Sequence, residues 1–185
     1  WYTGDNMRIL VTGGCGFIGS AFVRLFQHDF DIVVLDKLTY AADPDSVAGA
    51  KHEFVKGDIC NQEDVKKAIV DCEAVFHFAA ESHVDRAIAG PSEFVRTNVL
   101  GTQVLLEEAR KADCEFLYVS TDEVYGPVPE GVYCSESAPM VPTNPYSASK
   151  AGGDRLAYSY FKTYGLPVFI TRSTNNYGPY QHGEK

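Results

Sequence analysis

Apolar residues fall along this chain in two alternating patterns. Short unbroken runs rich in β-branched and aromatic residues recur at positions 7–12, 32–35, 54–55, 74–78, 116–119 and 168–170. Runs of this kind predict strands covered on both faces, as in a parallel sheet, because a half-exposed strand would alternate apolar with polar. Between them lie segments of helical character at positions 16–26, 62–70, 91–111 and 145–164. Asn61 is placed to cap the second, since its side-chain oxygen can accept from the first free amides of a helix. Pro145 suits the start of the last, where a missing N–H costs nothing. Strand, helix, strand, repeated, predicts an open α/β sheet with right-handed crossovers. Positions 126–144, with four prolines and two glycines, read as one long irregular loop, a kind often functional.

Composition narrows the classes. The 185 residues are 45% hydrophobic and 22% charged, the balance of a globular domain long enough to bury a real core. A net charge of −9 argues against gripping nucleic acid through its phosphates. No apolar run reaches the roughly 18–20 residues needed to span a membrane. Five scattered cysteines without a CxxC, and five histidines without ligand spacing, argue against a disulfide framework and a metal site, and for a reducing cytoplasm. Residues 1–6 lack the order of a signal peptide and read as an extension before a domain at 7–185.

The turn after the first strand carries the first chemistry. Gly13, Gly14, Gly16 and Gly19 fit GxGxxG (14, 16, 19) and GxxGxxG (13, 16, 19) equally well. Either spacing lets the chain turn tightly and bring backbone amides against a pyrophosphate at a helix N-terminus. Alone, it is also an ordinary strand-to-helix turn. Asp36 ends the second strand about 20 residues on, where an acid accepts hydrogen bonds from an adenosine ribose and repels a 2′-phosphate, favouring NAD over NADP. Asp58 and Ile59 follow the third strand, where an adenine would lie, although an Asp there also serves turns.

Two further groups are candidates for catalysis. Tyr146 and Lys150 stand four apart at a helix start, on one face; an ammonium beneath a tyrosine favours its phenolate and lowers its pKa towards neutrality, suiting it to take an alcohol proton. Thr121, Asp122 and Glu123 follow the fifth strand, at the end where open α/β sheets bind ligands. Adjacent carboxylates there can divide acid and base work, or simply form an acidic turn.

Taken together, the glycine turn, Asp36–Ala41, Phe78–Arg86, Ser120–Gly126, Pro145–Lys150 and Asn175–Tyr180 resemble the extended short-chain dehydrogenase/reductases and, among them, the dTDP-glucose 4,6-dehydratases. The Asp122-Glu123 pair is the most specific part of the likeness, because sister epimerases and decarboxylases usually lack it. The resemblance implies a Rossmann-type doubly wound parallel sheet, with the smaller C-terminal substrate domain largely absent from these 185 residues. It implies that Gly13, Gly16, Phe17, Ile18, Gly19, Asp36, Lys37, Leu38, Thr39, Asp58, Ile59, Phe78, Ala79, Ala80, Ser82, Thr97, Tyr146, Lys150 and Asn176 line NAD. It implies that Ser82, Thr121 and Asn175 touch a nucleotide-sugar substrate, Asp122 is the general acid and Glu123 the general base. It further implies a homodimer through the helices at 91–111 and 145–164, with Phe94, Leu105, Tyr158 and Phe161 supplying apolar area. A sister epimerase or decarboxylase, and a non-catalytic dinucleotide-binding fragment, are the alternative readings. Cys15, Ala42-Asp43 and the helical Gly152-Gly153 depart from the family pattern, the last at a cost of roughly 1 kcal/mol per glycine in helix propensity.

Overall fold

A computed structural model describes residues 6–183; of the expected N-terminal extension only Asn6 lies within it, and Glu184-Lys185 lie outside. Six strands form one all-parallel sheet: β1 (Arg8–Thr12), β2 (Asp31–Asp36), β3 (Glu53–Lys56), β4 (Ala74–His77), β5 (Glu115–Thr121) and β6 (Val168–Ser173), in the order β3-β2-β1-β4-β5-β6. The doubly wound α/β expectation is met. The central strands are buried on both faces, and their alternation sorts side chains to two cores. Leu10, Val33, Leu35, Val75, Phe116 and Tyr118 pack with helices α2 (Gln62–Ala68), α5 (Thr102–Lys111) and α6 (Pro145–Tyr164). Ile9, Val11, Ile32 and Val34 pack with Val23 of α1 (Phe17–Phe26) and with Val47. Burying a side chain of this size stabilises by about 1.5–3 kcal/mol, which is why these strands need no polar face.

Helix ends follow the local chemistry. The Asn61 side chain accepts from Glu63 N and caps α2, which ends at Ala68 rather than at Val70. Asn144 and Ser147 form a reciprocal capping box at α6, with Pro145 in its first turn and Gly165 in the left-handed conformation at its end. The expected helix over 91–111 is not one α-helix. It runs as α4 (Pro91–Val95), a wider π turn (Arg96–Gly101) and α5. The wide turn accompanies an inward-facing Asn98, whose amide binds Glu81 O and Ser149 Oγ and whose oxygen accepts from Glu81 N. Helix α3 (Val84–Ala89) and two short 3₁₀ turns (Pro44–Val47, Asp122–Tyr125) were not foreseen, being too short to show a period. Phe94 and Leu105 are buried inside their own subunit, so they cannot supply a dimer surface; Tyr158 and Phe161 are exposed, as are Val95 and Leu100.

The paired helical glycines have a packing reason. A Cβ on Gly153 would overlap the Tyr118 hydroxyl and come within 2.6 Å of Asn98 O, whereas one on Gly152 would meet only Val99, at 3.0 Å. Gly153→Ala is therefore expected to destabilise by about 1–3 kcal/mol through overpacking, against the roughly 1 kcal/mol that alanine gains in a helix. Gly152→Ala should cost less. Urea unfolding of the two variants checks this, and a Gly153→Ala protein as stable as wild type would contradict it.

Candidate active site

A cavity of about 720 Å³ opens at the carboxyl ends of the strands, beside the point where the strand order reverses between β1 and β4. In sheets of this topology that crevice is the natural ligand site. The glycine turn forms its floor. Gly13 has φ +71° and a Cβ there would lie 2.6 Å from Ala79 N, while a Cβ on Gly19 would overlap Gly13 O. Gly13, Gly16 and Gly19 face the cavity. Gly14 instead packs on Val34, where a Cβ would come within 2.7 Å. The structure thus separates the two spacings that the sequence left open: the glycines that line the cavity are the 13-16-19 set, with Gly13 N donating to Leu35 O and Gly16 N to Gly13 O inside the turn.

Asp36 is nearly buried at the end of β2 and accepts from Cys15 N at 2.9 Å and Leu38 N at 2.8 Å. Burial pushes its carboxyl upward, and the two amide bonds work against that. The carboxylate is thereby fixed in orientation, with lone pairs left for a ligand hydroxyl. Asp58 sits one strand over. Burial acts upward there as well, but the Cys60 amide at 2.9 Å and the Lys37 ammonium at 2.9 Å outweigh it and hold the carboxyl below its ordinary range.

Catalytic candidates stand at the other end of the cavity. Thr121 closes β5 and caps the 3₁₀ turn that follows, its hydroxyl oxygen accepting from Glu123 N at 3.3 Å. Glu123 receives the Asn144 side-chain amide at 3.3 Å, so the residue capping the tyrosine's helix also orients this carboxylate. Tyr146 is buried to 9% exposure in the first turn of α6, and Lys150 lies one turn on. The expectation of a lowered tyrosine pKa is not met. Burial, then the Glu123 carboxylate, push the Tyr146 hydroxyl up to about 12, against a hydrogen bond with Thr121. The Lys150 ammonium donates to Val119 O at 2.6 Å and lies 4.4 Å from the centre of the Tyr118 ring.

All but two of the sequence-derived candidates line this one cavity: Gly13, Gly16, Phe17, Ile18 and Gly19 from the first turn, then Asp36, Lys37, Thr39, Asp58 and Ile59. Phe78, Ala79, Ala80 and Ser82 follow β4, and Thr97, Thr121, Glu123, Tyr146, Lys150, Asn175 and Asn176 complete it. Leu38 and Asp122 do not line it. Leu38 takes a positive φ of 59° and packs into the apolar cluster beneath β2, contributing only its amide to Asp36. The Asp122 carboxylate accepts from the Thr121 hydroxyl at 3.2 Å. Ser120, His83 and His182 also line the cavity without having been singled out as candidate site residues. Ser120 had a readable signal, since it precedes Thr121 at the strand's carboxyl end; His182 lies far along the chain and had none. Buried Ser120 Oγ has no hydrogen-bond partner among the described residues, so the wall offers a hydroxyl to a polar ligand.

The sequence profile described as GDP-mannose 4,6 dehydratase matches residues 10–185. The chain belongs to that family. Among its relatives, the low-salt glycan biosynthesis protein Agl12 of Haloferax volcanii is 53% identical over 97% of this chain and 60% of its own length. The dTDP-glucose 4,6-dehydratase of Streptomyces niveus is 50% identical over 97% of this chain and 56% of its own. The crystal structure of DesIV, the dTDP-glucose 4,6-dehydratase of Streptomyces venezuelae solved with NAD bound, superposes with a TM-score of 0.92 at 50% identity, over 97% of this chain and 59% of that one. The chain therefore spans somewhat under two thirds of the length of these family members. No helix among the described residues is long and apolar enough to cross a membrane.

Proposed function

We propose that this chain, as one domain over residues 7–185, is the NAD-holding and catalytic part of a sugar-nucleotide 4,6-dehydratase that converts dTDP-glucose to dTDP-4-keto-6-deoxyglucose. The observation that carries the reading is the meeting of Glu123, Thr121 and Tyr146 in the same cavity as Asp36 and the glycine turn. An epimerase that only oxidises C4 has no need of a second acid–base group beside the tyrosine.

The residues fit the cofactor. The first turn of α1 at Phe17 and Ile18, brought to the cavity by the 13-16-19 glycines, suits a pyrophosphate, Asp36 a ribose diol, and the unpartnered Ser120 hydroxyl a polar group at the catalytic end. Bound NAD⁺ supplies a hydride acceptor, a positive charge within the cavity, and later the return of the same hydride. Tyr146 takes the C4 hydroxyl proton. It must ionise to do so, and its raised pKa means that cationic partners in the loaded site have to oppose burial and Glu123. Thr121 hydrogen-bonds the C4 oxygen as charge develops there. With C4 a ketone, the C5 hydrogen becomes acidic; Glu123 removes it while Asp122 protonates the departing C6 hydroxyl, and water leaves. C6 then receives the returned hydride and Glu123 gives a proton back to C5, so no net oxidation occurs. Asp122 has to turn from Thr121 towards the cavity for its part.

The unpaired state of all five cysteines supports a reducing cytoplasm. Exposed Val95 of α4, Leu100 of the π turn, and Tyr158 and Phe161 of α6 support pairing of two copies. The test is made on the full-length protein that contains this chain. It should release NAD⁺ on denaturation and convert dTDP-glucose to a 4-keto-6-deoxy product with no net reduction of cofactor. Conversion to a 4-epimer, or preference for NADP⁺, would contradict the proposal.

A further inference from the structure

Behind the cavity, three parts of the site meet at one buried ion pair. Tyr146, Lys150 and Asp154 follow at four-residue spacing and share a face of α6. Asp154 is fully buried, and a buried carboxylate persists only when paired. Arg172 on β6 grips it with two bonds, Nε to Oδ2 at 2.8 Å and Nη2 to Oδ1 at 2.9 Å, and Arg155 adds a third contact. Burial would push this carboxyl up, but Arg172 first and Arg155 next hold it below its ordinary range.

The remaining arm of the guanidinium points elsewhere. Its Nη1 donates to the Tyr125 hydroxyl at 2.7 Å and to Glu136 O at 2.9 Å. Tyr125 is the last residue of the 3₁₀ turn Asp122–Tyr125, which carries both carboxylates, and Glu136 lies in the middle of the long loop at 126–144. The turn has two other ties: the Asn144 amide to Glu123, and Val141 N to Val124 O at 3.0 Å. A planar fork with five donors can hold a carboxylate and a hydroxyl in fixed directions at once, which an ammonium cannot.

We propose that Arg172, clamped by Asp154, is a positioning residue for the elimination step: through Tyr125 it fixes the Asp122-Glu123 turn relative to the helix bearing Tyr146 and Lys150. The proposal rests on the dehydratase reading above. Acid and base must reach C6 and C5 of a sugar that Tyr146 holds at C4, and a displacement of about 1 Å can cost on the order of 100-fold in rate.

Tyr125→Phe removes one hydroxyl and keeps the ring. In the full-length protein it should slow water loss, and with it formation of the keto sugar, by roughly 10- to 100-fold, with unchanged melting temperature, bound NAD content and KM for dTDP-glucose. Reduced cofactor should build up transiently on mixing, because oxidation at C4 does not use the turn. A second variant, Asp154→Leu with Arg172→Met, removes the pair without stranding a buried charge and should show the same accumulation. Wild-type rates of water loss in either folded variant would overturn the proposal. So would a rate loss that came with equal loss of NAD and of cofactor reduction, since that marks a merely structural role. Wild-type protein that neither reduces its cofactor nor forms product with dTDP-glucose would overturn the dehydratase reading itself, and this proposal with it.

Discussion

Tyr146→Phe is expected to abolish the appearance of reduced cofactor when dTDP-glucose is added to the full-length protein, whereas Glu123→Gln is expected to allow it. The two side chains face the same cavity from different elements, one from the first turn of α6 and one from the turn after β5. Phenylalanine preserves the ring that packs edge-on against Phe94 at 6.4 Å but leaves nothing to accept the C4 proton, so the first hydride transfer stops. Glutamine preserves the contact with Asn144 in size and polarity but cannot take a proton from C5. Oxidation should then proceed while exchange of the C5 hydrogen with solvent deuterium is suppressed. Asp122→Asn should likewise permit oxidation and slow water loss, since an amide donates no acidic proton. Removal of a general acid or base typically costs about 10²–10⁴-fold, so each defect should be large. Stopped-flow absorbance of the cofactor and mass spectrometry of the sugar separate the steps. Deuterium entering C5 at the normal rate in Glu123→Gln would assign the base to another residue.

Stability should fall as pH drops from about 6.5 towards 3, with His77 a leading cause. His77 is buried at the centre of the sheet, between Thr12 of β1 and Thr102 of α5. Thr102 gives its only hydroxyl proton to Asn98 O at 2.8 Å, so at 3.0 Å it accepts from His77 Nε2–H. Nδ1 is then a bare acceptor for the Thr12 hydroxyl at 2.8 Å, and Thr12 Oγ1 in turn accepts from Ala79 N. Every group is satisfied by a neutral ring, and a second ring proton would meet a donor. Burial first, and the Lys150 ammonium second, lower its pKa to about 3. Above the ordinary value of about 6.5 the ring is neutral whether folded or not. Below it the unfolded chain binds a proton that the folded chain refuses, so stability falls by roughly 1.4 kcal/mol per pH unit until the folded pKa is reached. Between pH 7 and 5 this amounts to about 2 kcal/mol. His77→Gln keeps a donor and an acceptor but does not titrate, and should lose that much of the wild-type slope in urea unfolding at the two pH values. Equal slopes would mean that His77 is not held neutral.

The sheet and its cavity were legible because both leave local traces. Strands buried on two faces must be continuously apolar, and a close approach to a pyrophosphate demands glycine, so residues 7–19 declare themselves without reference to the rest of the chain. Asp36, Asp58 and Thr121 were readable for a related reason: in a parallel sheet the residue ending a strand faces the ligand edge whatever lies beyond. The helix over 91–111 was read as uniform because a π turn changes no residue's polarity; only contact with Glu81 and Ser149 explains it. Gly153 had no reason at all in the sequence, since Tyr118 and Asn98 are distant along the chain.

What the sequence by itself determined is the set of local requirements: apolar period, glycine at the turn, a cap at Asn61, a helix start at Pro145, and chemistry-bearing residues at strand ends. Only the tertiary structure decided which electrostatic environment each of those residues meets. A lysine four residues from a tyrosine predicts a lowered pKa when the pair is taken alone. Yet the fold buries Tyr146, sets Glu123 in its field and gives Lys150 the Val119 carbonyl, and the hydroxyl rises to about 12. Side-chain direction was decided in the same way, with Leu38 turned into the core and Asp122 towards Thr121. Burial and charge act through space and sum over neighbours from every element, whereas spacing along the chain reports only the neighbours that one element supplies.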